Sequence, residues 1–220
     1  MGAMHGANSV STQDADSQLW SETRLTYNID KQFDVFVAGS YRLTQDFSDF
    51  SRVAGRIGGS WAPTPALSIT PSYLYVANNP WTSNPQPESR LCLLTAYRIP
   101  VYTATLTLGN TTEYRMPENL PNSWWLRPRI TIANPIGPKN WGLSAFASDE
   151  IFYSNQQEEF TQDRIFAGFQ EKFNESLTTE LCYCRQIQMN TSNRDANIIC
   201  IDFRITFGEK TAAPYQPDLQ

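Results

Sequence analysis

The sequence predicts an all-β chain, folded as an antiparallel up-and-down transmembrane β-barrel of about twelve strands, with ten as the alternative count. Three observations point there. Strand-like stretches of roughly ten residues recur, each alternating apolar and polar side chains, with almost no helical periodicity between them. The connections alternate between short turns and longer loops. The apolar face of the stretches keeps its aromatic residues near the ends and its aliphatic residues between them.

The elements follow in chain order. Residues 18–28 set Leu25 and Tyr27 on one face and Glu22 and Arg24 on the other. The turn NIDK (28–31) leads into 32–44, where Phe33, Val35, Val37 and Tyr41 oppose Asp34 and Arg42. After QDFSD (45–49), residues 50–62 alternate Val53, Ile57 and Trp61 with Arg56. APTPA (62–66) leads to 66–77, with Leu67, Ile69, Tyr73 and Tyr75 on one face. The longest loop (77–88) contains Trp81, and 87–98 then sets Leu91, Leu93 and Tyr97 against Arg90 and Arg98. Ile99 and Pro100 turn the chain into 101–115, where Tyr102, Leu106, Leu108 and Tyr114 oppose Glu113. MPENLPN (116–122) precedes 122–133, with Trp124, Leu126, Ile130 and Ile132 against Arg127 and Arg129.

NPIGPK (134–139) leads to 140–153, in which Trp141, Leu143, Ile151 and Tyr153 oppose Glu150. SNQQEE (154–159) precedes 160–173, with Ile165, Phe169 and Phe173 against Arg164. The dipeptide NE (174–175) leads to 176–188, with Leu177, Leu181 and Tyr183 against Glu180. MNTSNRD (189–195) precedes 196–207, where Ile199, Ile201, Phe203, Ile205 and Phe207 alternate with Asp202 and Arg204. These are eleven stretches, and an even count would need a further strand from residues 1–17 or one stretch fewer.

Which face meets lipid is read from the aromatic and charged residues. Tyr27, Phe33, Trp61, Tyr97, Tyr102, Trp141, Phe173 and Phe207 lie beside short turns, and Tyr41, Tyr75, Tyr114, Trp124 and Tyr153 beside long loops. Two aromatic girdles around an aliphatic band are the mark of a barrel with an outward apolar face. The opposite face is rich in Arg and poor in Lys, which suits an enclosed polar lumen, because the planar guanidinium pairs carboxylates in confined sites. A soluble barrel or sandwich binding a small apolar ligand is the competing reading.

The chain divides into a leader (1–17), the barrel (18–207) and a tail (208–220). The leader has no basic start followed by an apolar h-region, so it reads as no signal peptide. The net charge of −5 argues against nucleic acid as a partner. A mean hydropathy of −0.43 is compatible with a barrel, because only alternate strand residues face lipid.

In LRPRI (126–130), SDEIFYSN (148–155), FTQDRIFAGF (160–169) and TTELCYCRQ (178–186), together with Trp20 and SYRL (40–43), the chain resembles the outer-membrane β-barrel family catalogued as domain of unknown function 2490. The resemblance implies a bacterial outer-membrane location and the bilayer and the outer-membrane assembly machinery as partners. It implies no particular activity. That machinery reads a terminal aromatic residue, whereas here thirteen residues follow Phe207.

The chemistry available is that of the lumen. Arg127, Arg129, Glu150, Arg164, Glu180, Asp202 and Arg204 are expected to form one charge cluster inside the barrel. Such a cluster makes the protein either structural, with a salt-bridged plug, or a narrow pore whose arginine excess favours a small anionic solute. Enzymatic activity is not expected, because the one histidine, His5, lies in the leader and leaves Ser–His or Asp–His mechanisms without a base. No cofactor or metal site is expected: the chain has no histidine cluster, and Cys182-x-Cys184 is not a zinc-knuckle spacing. A cross-strand disulfide of Cys184, or Cys182, with Cys200 is weighed equally with free buried thiols.

Overall fold

Segments with two unlike faces and no helical period pair into a sheet, and here the sheet curls until it closes. The structure is a computed structural model that describes residues 15–82, 85–138, 141–189 and 194–208. The leader up to residue 14, with His5, and the tail from 209 lie outside the described residues. The strands are β1 (Asp16–Asn28), β2 (Phe33–Thr44), β3 (Asp49–Trp61), β4 (Leu67–Asn78), β5 (Gln86–Val101) and β6 (Ala104–Pro117). They continue as β7 (Ser123–Pro135), β8 (Leu143–Ser154), β9 (Glu159–Lys172), β10 (Leu177–Gln188) and β11 (Ala196–Gly208).

Each strand pairs antiparallel with the next, and the sheet closes by a parallel pairing of β1 with β11, Asp16 opposite Ala196 through Asn28 opposite Gly208. Among the described residues, eleven strands therefore stand where the sequence suggested twelve or ten. An odd count of up-and-down strands forces the first and last to run the same way, and the evenly matched ladder of β1 and β11 satisfies both edges without a twelfth strand.

Turn chemistry sets the short-connection end. The Asp30 carboxylate accepts the N–H groups of Gln32 and Phe33 at 2.7 and 2.9 Å, and the Asn174 side chain accepts those of Ser176 and Leu177 at 2.8 Å. Both are Asx turns that reverse the chain within a few residues. The start of β1 and the longer loops lie at the opposite end, where β2–β3 and β8–β9 also carry register shifts at Arg42/Leu43 and Phe152/Tyr153.

The two faces of the wall differ completely. Val35, Val37, Ile57, Leu91, Ile130, Ile132, Phe169 and Leu181 are exposed on the outside, while Arg127, Arg129, Glu113 and Glu150 are buried inside. All eight residues expected beside the short turns, Tyr27 through Phe207, are exposed, with Tyr102, Trp141 and Phe173 in the connections and the other five on strands. Inside, Trp20, Phe146, Phe166, Ile198, Cys182, Cys184 and Cys200 pack into one apolar cluster between β1 and the β8–β11 wall. That cluster leaves no room at Gly168, where an added Cβ would overlap the Leu181 carbonyl oxygen and the Cys182 side chain.

Candidate functional site

A carboxylate two residues before an arginine puts both side chains on the same face of a strand. The pattern recurs as Glu22-x-Arg24, Glu88-x-Arg90, Glu113-x-Arg115 and Asp202-x-Arg204. In β5 the Arg90 guanidinium donates to both Glu88 carboxylate oxygens, at 3.0 and 2.9 Å. In β6 Arg115 donates to Glu113 at 2.6 and 2.7 Å.

The register then stitches neighbouring strands together. Glu113, wholly buried, also receives Arg90 at 3.3 Å and the Arg127 guanidinium. Arg127 donates in turn to Glu150 at 2.9 and 3.1 Å, and Arg164 stands 3.9 Å from the same carboxylate. Phe152 lies beneath both Arg127 and Arg164, at 4.6 and 4.5 Å from the ring centre. Arg164 also reaches across to the Trp20 ring of β1 at 4.7 Å, and Arg42 of β2 stacks on that ring at 3.6 Å. An unbroken run of contacts, from Arg90 through Glu113, Arg127, Glu150, Arg164 and Trp20 to Arg42, thus crosses the interior.

Above this run, toward the long-loop end, lies a cavity of about 630 Å³. Among the described residues, seven arginines line it (42, 52, 56, 90, 115, 127 and 164), with Trp20 and Trp125, and Glu22 is the one lining carboxylate. Arg115 stacks on Trp125 at 3.9 Å. Stacking occupies the guanidinium face and leaves its N–H edge free to donate.

The structure brings together only part of the cluster expected from the sequence. Arg127, Glu150 and Arg164 join the interior run, while Arg129 turns aside to donate to the Ser148 hydroxyl at 2.7 Å and stacks on Phe166. Glu180, Asp202 and Arg204 lie toward the short-turn end, where Asp202 accepts the Glu22 backbone N–H at 2.8 Å. On the β9–β10 ladder, the pairs Phe166–Cys184 and Gly168–Cys182 separate Arg164 from Glu180. One expected cluster is therefore two, divided by the apolar packing.

Sequence reasoning missed Glu88, Arg115 and Arg52 and did not link Glu113 to Arg127; the repeated carboxylate-x-Arg spacing is the signal that marks most of them. It also missed Asp149 and Asp163 on neighbouring strands of the outer face, with Asp149 level with Ile130 and Ile165. The cysteine pairing shifts as well. Cys200 stands opposite Cys182, whereas Cys184 faces Ile198, and all four cysteines are free and buried. A hairpin slip of two residues keeps every side chain on its own face, so alternation alone does not separate the two pairings. Among the described residues, no group of three His, Cys, Asp or Glu side chains is arranged to hold a metal ion.

The family model described as "Protein of unknown function (DUF2490)" matches residues 17–197. No curated protein matches the chain in sequence. Among solved structures, LpxR from Salmonella typhimurium is similar with a TM-score of 0.55 at 9% identity, over 84% of this chain and 87% of that one. The likeness is one of fold. It corrects the expectation that the chain is not an enzyme, because LpxR is an outer-membrane enzyme built on such a barrel. A missing histidine removes histidine-based mechanisms only.

Proposed function

The chain belongs to the DUF2490 family, and from that premise we propose that it is an outer-membrane β-barrel, closed across its interior, whose long-loop mouth is an arginine-lined cavity for anions. The observation that carries this reading is the unbroken run from Arg90 to Arg42, which crosses the interior with buried ion pairs and stacked rings. Charges in such a place persist only when paired and hydrogen-bonded. Beside them, between β1 and β8–β11, Trp20, Phe146, Phe166 and Ile198 pack as an apolar cluster.

The outer wall supports placement in a bilayer. Exposed Ile, Leu, Val and Phe side chains recur over most of the outer wall, far beyond the apolar patches that water-soluble monomers carry. A soluble barrel would instead turn these residues inward. The bilayer is then one partner, and a small anionic solute held in the cavity is the other.

In planar bilayers, the refolded wild-type protein is expected to give no resolved conductance steps. Steady anion-selective steps would replace closure with the narrow-pore reading.

A further inference from the structure

We propose that Arg42, Arg52 and Trp20 form a binding site for a phosphate group. The proposal rests on the reading of the mouth as an anion cavity and names its ligand chemistry. Arg42 and Arg52 are directly opposite each other on the β2–β3 ladder, and both face the cavity. Like charges so placed repel and destabilise a strand pair.

The barrel contains its own control. Arg90 and Arg115 are also directly opposite, on the β5–β6 ladder, and there Glu88 and Glu113 neutralise them at 2.6 to 3.3 Å. Among the described residues, no carboxylate lies within 4.0 Å of the Arg42 or Arg52 guanidinium. The residues two before them are Ser40 and Phe50, where the other pair has Glu88 and Glu113.

The ligand therefore takes the place of two missing carboxylates. A phosphate carries up to two negative charges and several acceptor oxygens, and matches two guanidinium forks better than a single carboxylate does. Trp20, with Arg42 stacked at 3.6 Å, fixes that fork and leaves its N–H edge to donate. The cavity volume of about 630 Å³ exceeds a bare phosphate, so a phosphorylated solute and a phospholipid headgroup share the required chemistry.

The test uses the full chain refolded in a neutral detergent, titrated with inorganic pyrophosphate in one arm and short-chain phosphatidic acid in the other. Binding is followed by calorimetry and by tryptophan emission. Saturable binding in either arm, weakened at least tenfold in Arg42→Gln and in Arg52→Gln but not in Lys172→Gln, supports the site. The arm that responds identifies a soluble or a lipid source.

Arg42→Lys and Arg52→Lys, which keep the charge, are expected to retain intermediate affinity. Without phosphate, Arg42→Gln is expected to unfold at the same or higher urea than wild type, because repulsion is relieved. Pyrophosphate, or phosphatidic acid if that arm responds, should stabilise wild type but not the variant. No binding in either arm, or binding unchanged in both glutamine variants, overturns the proposal. A conducting wild type that still shows the arginine-dependent binding overturns closure alone and leaves the phosphate site standing.

Discussion

Glu113→Ala is expected to lose about 3–5 kcal/mol of unfolding free energy, the scale for breaking a buried ion pair from one side. Glu113 is wholly buried and holds three guanidinium groups, those of Arg90, Arg115 and Arg127. Removing it leaves three positive charges facing one another where water cannot screen them well. Glu113→Gln keeps the shape but not the charge, and is expected to recover little. Urea unfolding in detergent, against Glu118→Ala in an exposed loop, measures the difference. A cost for Glu113→Ala as small as that of the exposed control would mean that the buried run is not a stabilising lattice. Replacing Glu113 and Arg127 together by Leu and Met should cost less than the single change, since Arg90 and Arg115 keep Glu88, and Glu150 keeps Arg164, within 4.0 Å.

The second large effect is expected at Gly168. It lies between Phe146 of β8 and Cys182 of β10, and its missing side chain is what lets the β10 backbone and the cysteine approach. Gly168→Val would gain strand propensity yet force the wall apart, and overpacking of this kind costs about 1–3 kcal/mol, more where backbone must move. The expected result is a lower urea midpoint and slower refolding than wild type. Gly55→Val, where an added Cβ meets nothing within 4 Å, should be tolerated. Equal midpoints for the two variants would contradict the tight packing inside β9 and β10.

Much of the architecture was legible because a strand's period is two. Alternation in NIICIDFRITF is enough to set Ile199 and Phe203 on one face and Asp202 on the other; the aromatic girdles then mark the first face as outward, and the same rule places Arg127, Glu150 and Arg164 inside. Lateral register was not legible. Nothing in the alternation states how far one strand is shifted along its neighbour, so Glu180 and Asp202 could not be told apart from the Arg127 group. The same gap hid the choice between Cys182 and Cys184. Strand parity was misjudged because parallel closure is a property of the chain's two ends together, and no local pattern reports it. The arginine pair 42/52 became visible only once β2 and β3 were placed in register.

The central claim is that the apolar face meets lipid and the charged face lies inside. Variants retaining one tryptophan each, with the others changed to Phe, can be refolded into vesicles whose acyl chains carry bromine, a quencher by contact. Trp61 and Trp124 are 41% and 50% exposed on the outer face, whereas Trp20 is 1% exposed within the barrel. The Trp61-only and Trp124-only proteins should lose most of their emission in brominated lipid, and the Trp20-only protein should keep it. Quenching of Trp20 with Trp61 and Trp124 unaffected, or no quenching of any of them, would contradict the account.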